Sequence, residues 1–500
     1  MQMLGSVCVY LKISVAIIHK EHCKSMRILA LSIGPIGPDI ASGGATKCLL
    51  DLGMALSKRG HRIDILGPQR SNLARSNELN RNLAIHAVLP YRPSFPGAYD
   101  IPPYQHVRLV QELERFQRNV DLIYVHDAGF LYQEWFRGDV PLIVSLRDLL
   151  YQETIFGAMS FRRDLMVVNS SYLHDCVMAS IGNVCSEMGY RMRIIENGID
   201  WTIFRKGVVD KRLDTLISRK SLKFPILLHP HRPDPRKGLP FVLEVLQKLR
   251  RMKGFESVTI LIPKHSPDGQ FHIQEIPTEL RDHVVAHPWL PRSIMPAYYG
   301  LGDATLCLGE FVEAFGSNVV LESLACGVPV IQTKVAAHRN TLPDGLTTRC
   351  DPGDVDGAVE AIVVTISQGS HSESDWREAL SKQFSLERMI DSYESLFMNA
   401  KVLPPIRINQ FPDTSRNDTL LRLAPWCFTV NGRVYHDYLG TWSENPLTER
   451  IAALLGRQSL MREDIKSTGI ENESIDQLIE EGYLVIDYGS GYCRNLQLSG

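Results

Sequence analysis

The chain has 500 residues, enough for about three domains at roughly 150 residues each. Hydrophobic residues make up 44% and charged residues 22%, ordinary values that exclude a chain that is disordered, fibrous or membrane-embedded as a whole. Lys and Arg number 54 against 56 Asp and Glu, a formal charge of -2, so no global basic field exists to hold nucleic acid or anionic lipid.

Met3 to Ile18 resembles the apolar core of a signal segment, but Lys12 interrupts it and no small-residue cleavage site follows. A second Met, Met26, stands directly before the first clear strand, so residues 1–25 read as an N-terminal extension, with a membrane anchor as the alternative. No later run reaches the ~18 apolar residues that a bilayer span needs. Ten cysteines are scattered without a Cys-x-x-Cys pair or a zinc-type His spacing, which predicts reduced thiols, no metal site and a cytoplasmic protein.

Over residues 26–400 strand-like apolar runs alternate with helical patterns, as in an α/β protein with doubly wound parallel sheets. A strand is predicted at 28–31 and a Gly- and Pro-rich loop at 34–44. Ala45, Cys48, Leu49, Leu52, Ala55 and Leu56 then mark one face of a helix, which Gly60 stops before a strand at 63–66. The stretch 89–104 sets five prolines among Tyr91, Phe95, Tyr99 and Tyr104, a long loop that fits either packing or an acceptor wall. Further strands are expected at 122–125, 142–145, 165–169 and 193–196. A charged break, Lys206 to Arg219, divides a first domain, 26–205, from a second, 206–400.

In the second domain strands fall at 226–228, 258–262, 284–287, 304–308 and 328–333, and Val242, Val245, Leu246 and Leu249 share a helix face. Open sheets of this kind bind ligands at the carboxyl ends of their strands, so the cleft between the two domains is the expected site. Residues 401–425, with Pro404, Pro405, Pro412 and Pro425, read as a linker. Short strands and helices over 426–500 describe a small winged-helix-like α+β unit. From Thr441 to Ser490 it holds ten acidic and four basic residues, and its helix at 474–481 carries no Lys or Arg, which argues against nucleic acid. A protein or peptide docking role and a purely structural one both fit that unit.

The most specific constellation runs from Glu313 through Phe315, Gly316, Ser317, Asn318 and Glu322 to Ile331, between two strands. A helix starting near Asn318 offers unpaired amides to a phosphate, and carboxylates accept hydrogen bonds from sugar hydroxyls. This stretch resembles the signature of retaining family 4 glycosyltransferases (glycosyl transferases group 1) of the GT-B fold, in which two Rossmann-like domains face a cleft. The resemblance extends over most of 26–400. His-Pro-His-Arg232-Pro-Asp-Pro-Arg236-Lys237-Gly238 looks like the family loop whose Arg and Lys hold the donor diphosphate. Glu196-Asn-Gly-Ile-Asp200 with Phe204 is similar to its interdomain element, Gly43-Gly44 to its amino-terminal glycine loop, and Asp121 to His126 to its strand ending in His.

The resemblance implies that Glu313 contacts the donor sugar and Glu322 the ribose. It makes Glu313, His126, Arg232 and Lys237 the catalytic set, His126 positioning sugar or acceptor. Gly43, Gly44, Arg232, Lys237, Phe315, Gly316, Ser317, Asn318 and Glu322 form the nucleotide-sugar site. Three features depart from the family pattern: eight residues instead of seven separate the two glutamates, Ala336-Ala337-His338-Arg339 replaces a Gly-Gly…Glu stretch, and Arg147 stands where the family has His. Each motif also has a structural reading. Gly-Gly before a helix is often a tight turn, His126 a hydrogen-bonded strand end, Arg232 and Lys237 a solvated pair, and Glu322 a favourable charge near a helix start.

The expected function is transfer of a hexose from a nucleotide-diphosphate sugar to an unidentified saccharide, lipid, peptide or small molecule. Retention of configuration follows from the resemblance, and neither a metal nor a further cofactor is called for. A nucleotide-sugar epimerase of the same fold and a non-catalytic sugar-nucleotide-binding protein are the alternatives. A peripheral membrane contact stays open.

Overall fold

The computed structural model describes residues 25–487, apart from 38–42, 70–73, 93–96, 183–186, 219–221, 266–271, 274–275, 311, 317, 369–373 and 407–413. The signal-like run from Met3 to Ile18 lies outside the described residues. Strands β1 (Arg27–Leu31), β2 (Arg62–Pro68), β3 (Ser76–Asn80), β4 (Leu83–Leu89), β5 (Leu122–Val125), β6 (Leu142–Leu146), β7 (Leu165–Val168) and β8 (Met192–Ile194) form one sheet in the order β3-β4-β2-β1-β5-β6-β7-β8. β5 and β6 are buried at every residue, as strands covered on both faces must be. Leu29, Leu31, Ile123 and Val125 enter the core on one face, and Ile28, Ala30, Leu122 and Tyr124 the core on the other. Every pairing is parallel except β3 with β4, an antiparallel edge.

Within the Pro-rich stretch Tyr91 and Tyr99 are packing residues. Tyr91 donates its hydroxyl to the Ser32 carbonyl at 2.5 Å, and Tyr99 donates to the Gly129 carbonyl at 2.8 Å. A helix, Pro103–Phe116, begins inside that stretch, its Pro sitting in the first turn where the missing N–H costs nothing.

The second lobe is a six-stranded parallel sheet built from β9 (Ile226–Leu228), β10 (Thr259–Pro263), β11 (Val284–His287), β12 (Ala304–Cys307), β13 (Val330–Thr333) and β14 (Thr348–Cys350), in the order β11-β10-β9-β12-β13-β14. Helix Leu239–Leu249 covers one face with Val242, Val245, Leu246 and Leu249. The chain crosses between the lobes twice at one place. The Ile199 amide donates to the Phe384 carbonyl at 3.0 Å and the Leu386 amide to the Ile199 carbonyl at 2.9 Å. Gly198 permits this approach, since a Cβ there would lie 2.1 Å from the Ser385 carbonyl oxygen. Helix Leu386–Met398, within the stretch read as second domain, then returns to the first lobe and buries Met389, Ile390, Tyr393 and Phe397 beside β1 and β5.

Ile406 packs into the first lobe's core. The stretch read as linker also supplies β15 (Leu420–Leu423), which pairs antiparallel with β19 (Leu460–Met461) and β20 (Leu484–Ile486). A second small sheet joins β16 (Cys427–Val430), β17 (Arg433–His436) and β18 (Thr441–Trp442). Helices Pro446–Leu455, Arg462–Ser467 and Asn472–Glu480 complete an α+β unit around Leu421, Val434, Ile451, Ile465, Ile475 and Leu484. Among the described residues no helix is long and apolar enough to cross a membrane.

Candidate active site

A tight turn after β9 builds the cationic side of the cleft. Asp234, buried, accepts from the Arg236 amide at 3.1 Å and holds the guanidinium groups of Arg232 at 3.1 Å and Arg236 at 2.7 Å. Gly238 follows with φ 82°, and a Cβ there would lie 2.0 Å from the Leu308 carbonyl oxygen, so this turn needs glycine. The turn brings the Lys237 ammonium onto the Glu313 carboxylate as an ion pair. Burial alone pushes the Glu313 carboxyl up, but Lys237 foremost, then His338 and to a smaller extent Arg232, hold it below the ordinary carboxylate range. Arg232 and Arg236 also donate to the Tyr151 hydroxyl at 3.0 and 3.1 Å. Tyr151 belongs to the first lobe, so this turn is tied across the cleft.

Glu322 stands in helix Asn318–Ala325, buried, accepting from the Tyr299 hydroxyl at 3.0 Å and paired with Lys47 of the first lobe. Lys47 lies in the glycine-loop helix, Gly44–Lys58, which presents Gly44, Lys47 and Asp51 to the second lobe at a spacing of three and four, one helical face. Gly44 faces Asn318, and Asp51 accepts from Arg292 at 2.6 Å. Gly43 caps that helix in extended backbone and brings no capping side chain. Asn318 accepts from Asn197 at 3.1 Å. Phe315 faces inward, buried in the second lobe's core with its ring centroid 6.3 Å from that of Phe384. Gly316 forms the turn between Glu313 and the helix, and Ser317 lies outside the described residues.

His126, placed by sequence among the catalytic residues, has both ring nitrogens taken. Its Nε2–H donates to the Ala45 carbonyl at 2.7 Å, and Nδ1 accepts from the Tyr124 hydroxyl at 2.8 Å. Burial first, then the Arg147 charge, drive its pKa well below the usual histidine value. A neutral, fully bonded imidazole under the first turn of the glycine-loop helix positions that helix and has no nitrogen left for proton transfer. Arg147, buried, donates to Asn197, which links it to Asn318 across the lobes.

Lys47, Tyr151 and Tyr299 carry no motif of their own, and only the fold brings them to the cleft; Asp234 lies inside the Arg232–Lys237 loop, where sequence assigns it no role. Asp127 and Asp148, directly after the ends of β5 and β6, are also new. Burial raises both; the Asp148 charge adds to the rise of Asp127, to about 8, while hydrogen bonds from Leu150, Thr154 and Tyr151 and the Lys237 charge oppose that of Asp148. Among the described residues no three His, Cys, Asp or Glu side chains gather as a metal ion would require.

Of the predicted residues, Arg232, Lys237 and Glu313 come together as one cluster. Gly44, Asn318 and Glu322 meet at the adjoining lobe contact. Comparison with known proteins decides the class. Residues 42–202 match the model of Glycosyltransferase Family 4, and residues 211–383 match that of Glycosyl transferases group 1, together two thirds of the chain. The chain belongs to the glycosyltransferases. It is a nucleotide-sugar-dependent transferase of GT-B architecture.

This glycosyltransferase is 25% identical over 375 residues to N-acetyl-alpha-D-glucosaminyl L-malate synthase of Bacillus anthracis, covering 71% of this chain and 93% of that one. Its fold is shared with sucrose-phosphate synthase from Thermosynechococcus elongatus, at TM-score 0.60 and 17% identity over 74% of this chain and 98% of that one. Anabaena HepE in complex with UDP and glucose superposes at TM-score 0.55 and 18% identity, over 75% of this chain and 100% of that one.

Proposed function

We propose that this glycosyltransferase moves a hexose from a nucleotide-diphosphate sugar to its acceptor with retention of anomeric configuration and without a metal ion. The observation that carries the reading is the Lys237–Glu313 pair beside Arg232 at the mouth of the cleft. Breaking the anomeric bond builds positive charge on the ring and negative charge on the departing diphosphate. Fixed cations at a developing negative charge are worth about 3–4 kcal/mol each. Lys237 turns from Glu313 to the diphosphate, and the freed carboxylate accepts from sugar hydroxyls. Glu322 serves the ribose in the same way, and Lys47 holds the glycine-loop helix over it. The departing phosphate takes the acceptor's proton, which agrees with a His126 that has no nitrogen to spare. Asp127 and Asp148 face the acceptor from the strand ends of the first lobe.

HepE is bound to UDP and glucose, so uridine donors are the first to test. The purified chain is mixed with UDP-, GDP- and ADP-linked hexoses and a panel of saccharide, lipid, peptide and small-molecule acceptors in the presence of EDTA. Nucleoside diphosphate release is followed, and the anomeric configuration of the product is read by NMR. Release in EDTA with a product of unchanged configuration supports the reading. Binding without release, an epimerised sugar nucleotide, an inverted product, or activity that EDTA abolishes would each contradict part of it.

A further inference from the structure

The structure assigns the C-terminal α+β unit a part in the sugar site, with Asp437 as the residue that positions the loop backing Glu313. The inference rests on the reading above that Glu313 holds the donor sugar. Asp437 follows β17, is 0% exposed, and is bonded to both catalytic lobes. Tyr172 of the first lobe donates its hydroxyl to Oδ2 at 2.9 Å. Arg339 of the second lobe donates to Oδ1 at 2.8 Å and Oδ2 at 2.9 Å, and the Ala336 amide donates to Oδ1 at 3.1 Å. The Arg339 guanidinium lies 4.4 Å over the Phe428 ring and 5.5 Å from the Tyr172 ring, and also donates to the Pro425 carbonyl at 3.0 Å.

Ala336 is the reason this contact matters. Its φ is 43°, a left-handed conformation that a residue with a Cβ adopts only under constraint. A glycine would adopt this φ without that cost, and this chain has alanine at both 336 and 337. The Asp437 carboxylate takes the Ala336 amide and the Arg339 side chain, fixing the loop at both ends. The loop in turn fixes the site. The Ala337 amide donates to the Glu313 carbonyl at 3.0 Å, and the Thr341 hydroxyl donates to the Phe315 carbonyl at 2.8 Å. His338, between them, packs against Gly316, where a Cβ would lie 3.4 Å from its Cδ2. An aspartate from outside the two lobes thus supplies the restraint that glycine would make unnecessary.

The test compares Asp437→Asn, Asp437→Asn with Ala336→Gly, Ala336→Gly alone, and Lys237→Ala in the full chain. Nucleoside diphosphate release is measured from whichever of UDP-glucose, GDP-mannose or ADP-glucose the wild type turns over, and affinity is measured for the matching nucleoside diphosphate. We expect Asp437→Asn to lower kcat at least tenfold while nucleoside diphosphate affinity changes less than threefold, and Ala336→Gly to restore at least fivefold of that loss. A merely structural contact would give a lower Tm that glycine at 336 does not rescue. Wild-type turnover in Asp437→Asn, or a loss untouched by Ala336→Gly, overturns the inference. Undiminished turnover in Lys237→Ala would instead overturn the reading of the site itself.

Discussion

Replacing Lys237 by Ala leaves the Glu313 carboxylate in place without its main counter-charge. The two side chains are 28% and 19% exposed. Unit charges about 4 Å apart at an effective dielectric near 20 interact by about 4 kcal/mol. Removing one partner of a fully buried pair costs about 3–5 kcal/mol, and partial exposure here brings the expected loss of stability to about 2 kcal/mol. Loss of one preorganised donor at a developing charge lowers kcat by about 10²–10³-fold. The pH dependence ties both effects to this pair. In the wild type the folded Glu313 value lies below the unfolded one, so its stabilisation is complete above the unfolded value of about 4.3 and is lost as pH falls through the folded value. Without Lys237 burial dominates and raises the folded value, so folding favours the protonated acid and stability falls as pH rises. The Tm gap between the two proteins is therefore expected to be widest near pH 7 and to close below about pH 4. Calorimetry across that range with parallel turnover assays makes the test. A gap that ignores pH, or turnover within threefold of wild type, refutes the reasoning.

Glu322→Gln keeps neutral hydrogen bonding to Tyr299 and Lys47 but weakens the acceptor for ribose; donor KM is expected to rise about tenfold with kcat little changed, read by steady-state kinetics. Asp127 has a folded value raised to about 8, above its unfolded one, so it subtracts from stability increasingly as pH rises between roughly 4 and 8. Asp127→Asn is accordingly expected to raise Tm at pH 8 and to leave it unchanged near pH 4, and the opposite trend in calorimetry would show that the carboxyl is ionised and held. His126→Gln is expected to lower Tm through the lost Ala45 contact while leaving the acidic limb of the pH–rate profile where it is; a displaced limb would restore His126 as a titrating group.

The strands that carry the site were legible because they are apolar runs in sheets covered on both faces, as at 122–125 and 142–145. The edge strand Ser76–Asn80 was not, since half-exposed polar residues leave no such run. The helix at Pro103 was hidden by the prolines that open it, and the return of Leu386–Met398 to the first lobe is decided by contacts with β1 and β5, more than 250 residues earlier in the chain. In the site, Arg232, Lys237, Glu313 and Glu322 could be named because short stretches of sequence hold them at fixed spacing. Lys47, Tyr151 and Asp437 could not, because each meets its partner only through the packing of one unit on another. His126 shows what the sequence leaves open about a residue it names. A strand-end histidine in a motif reads as a positioning residue, and only the fold shows which group it holds, the carbonyl of Ala45, 81 residues earlier.

The most direct test of the central claim is a crystal structure of the protein with whichever of UDP, GDP or ADP most raises its Tm. The diphosphate is expected between the lobes, with oxygens within about 3 Å of Lys237 Nζ and of the Arg232 guanidinium, and the ribose on Glu322. A nucleotide bound elsewhere, or a diphosphate in the cleft that leaves Lys237 still paired with Glu313, would contradict it.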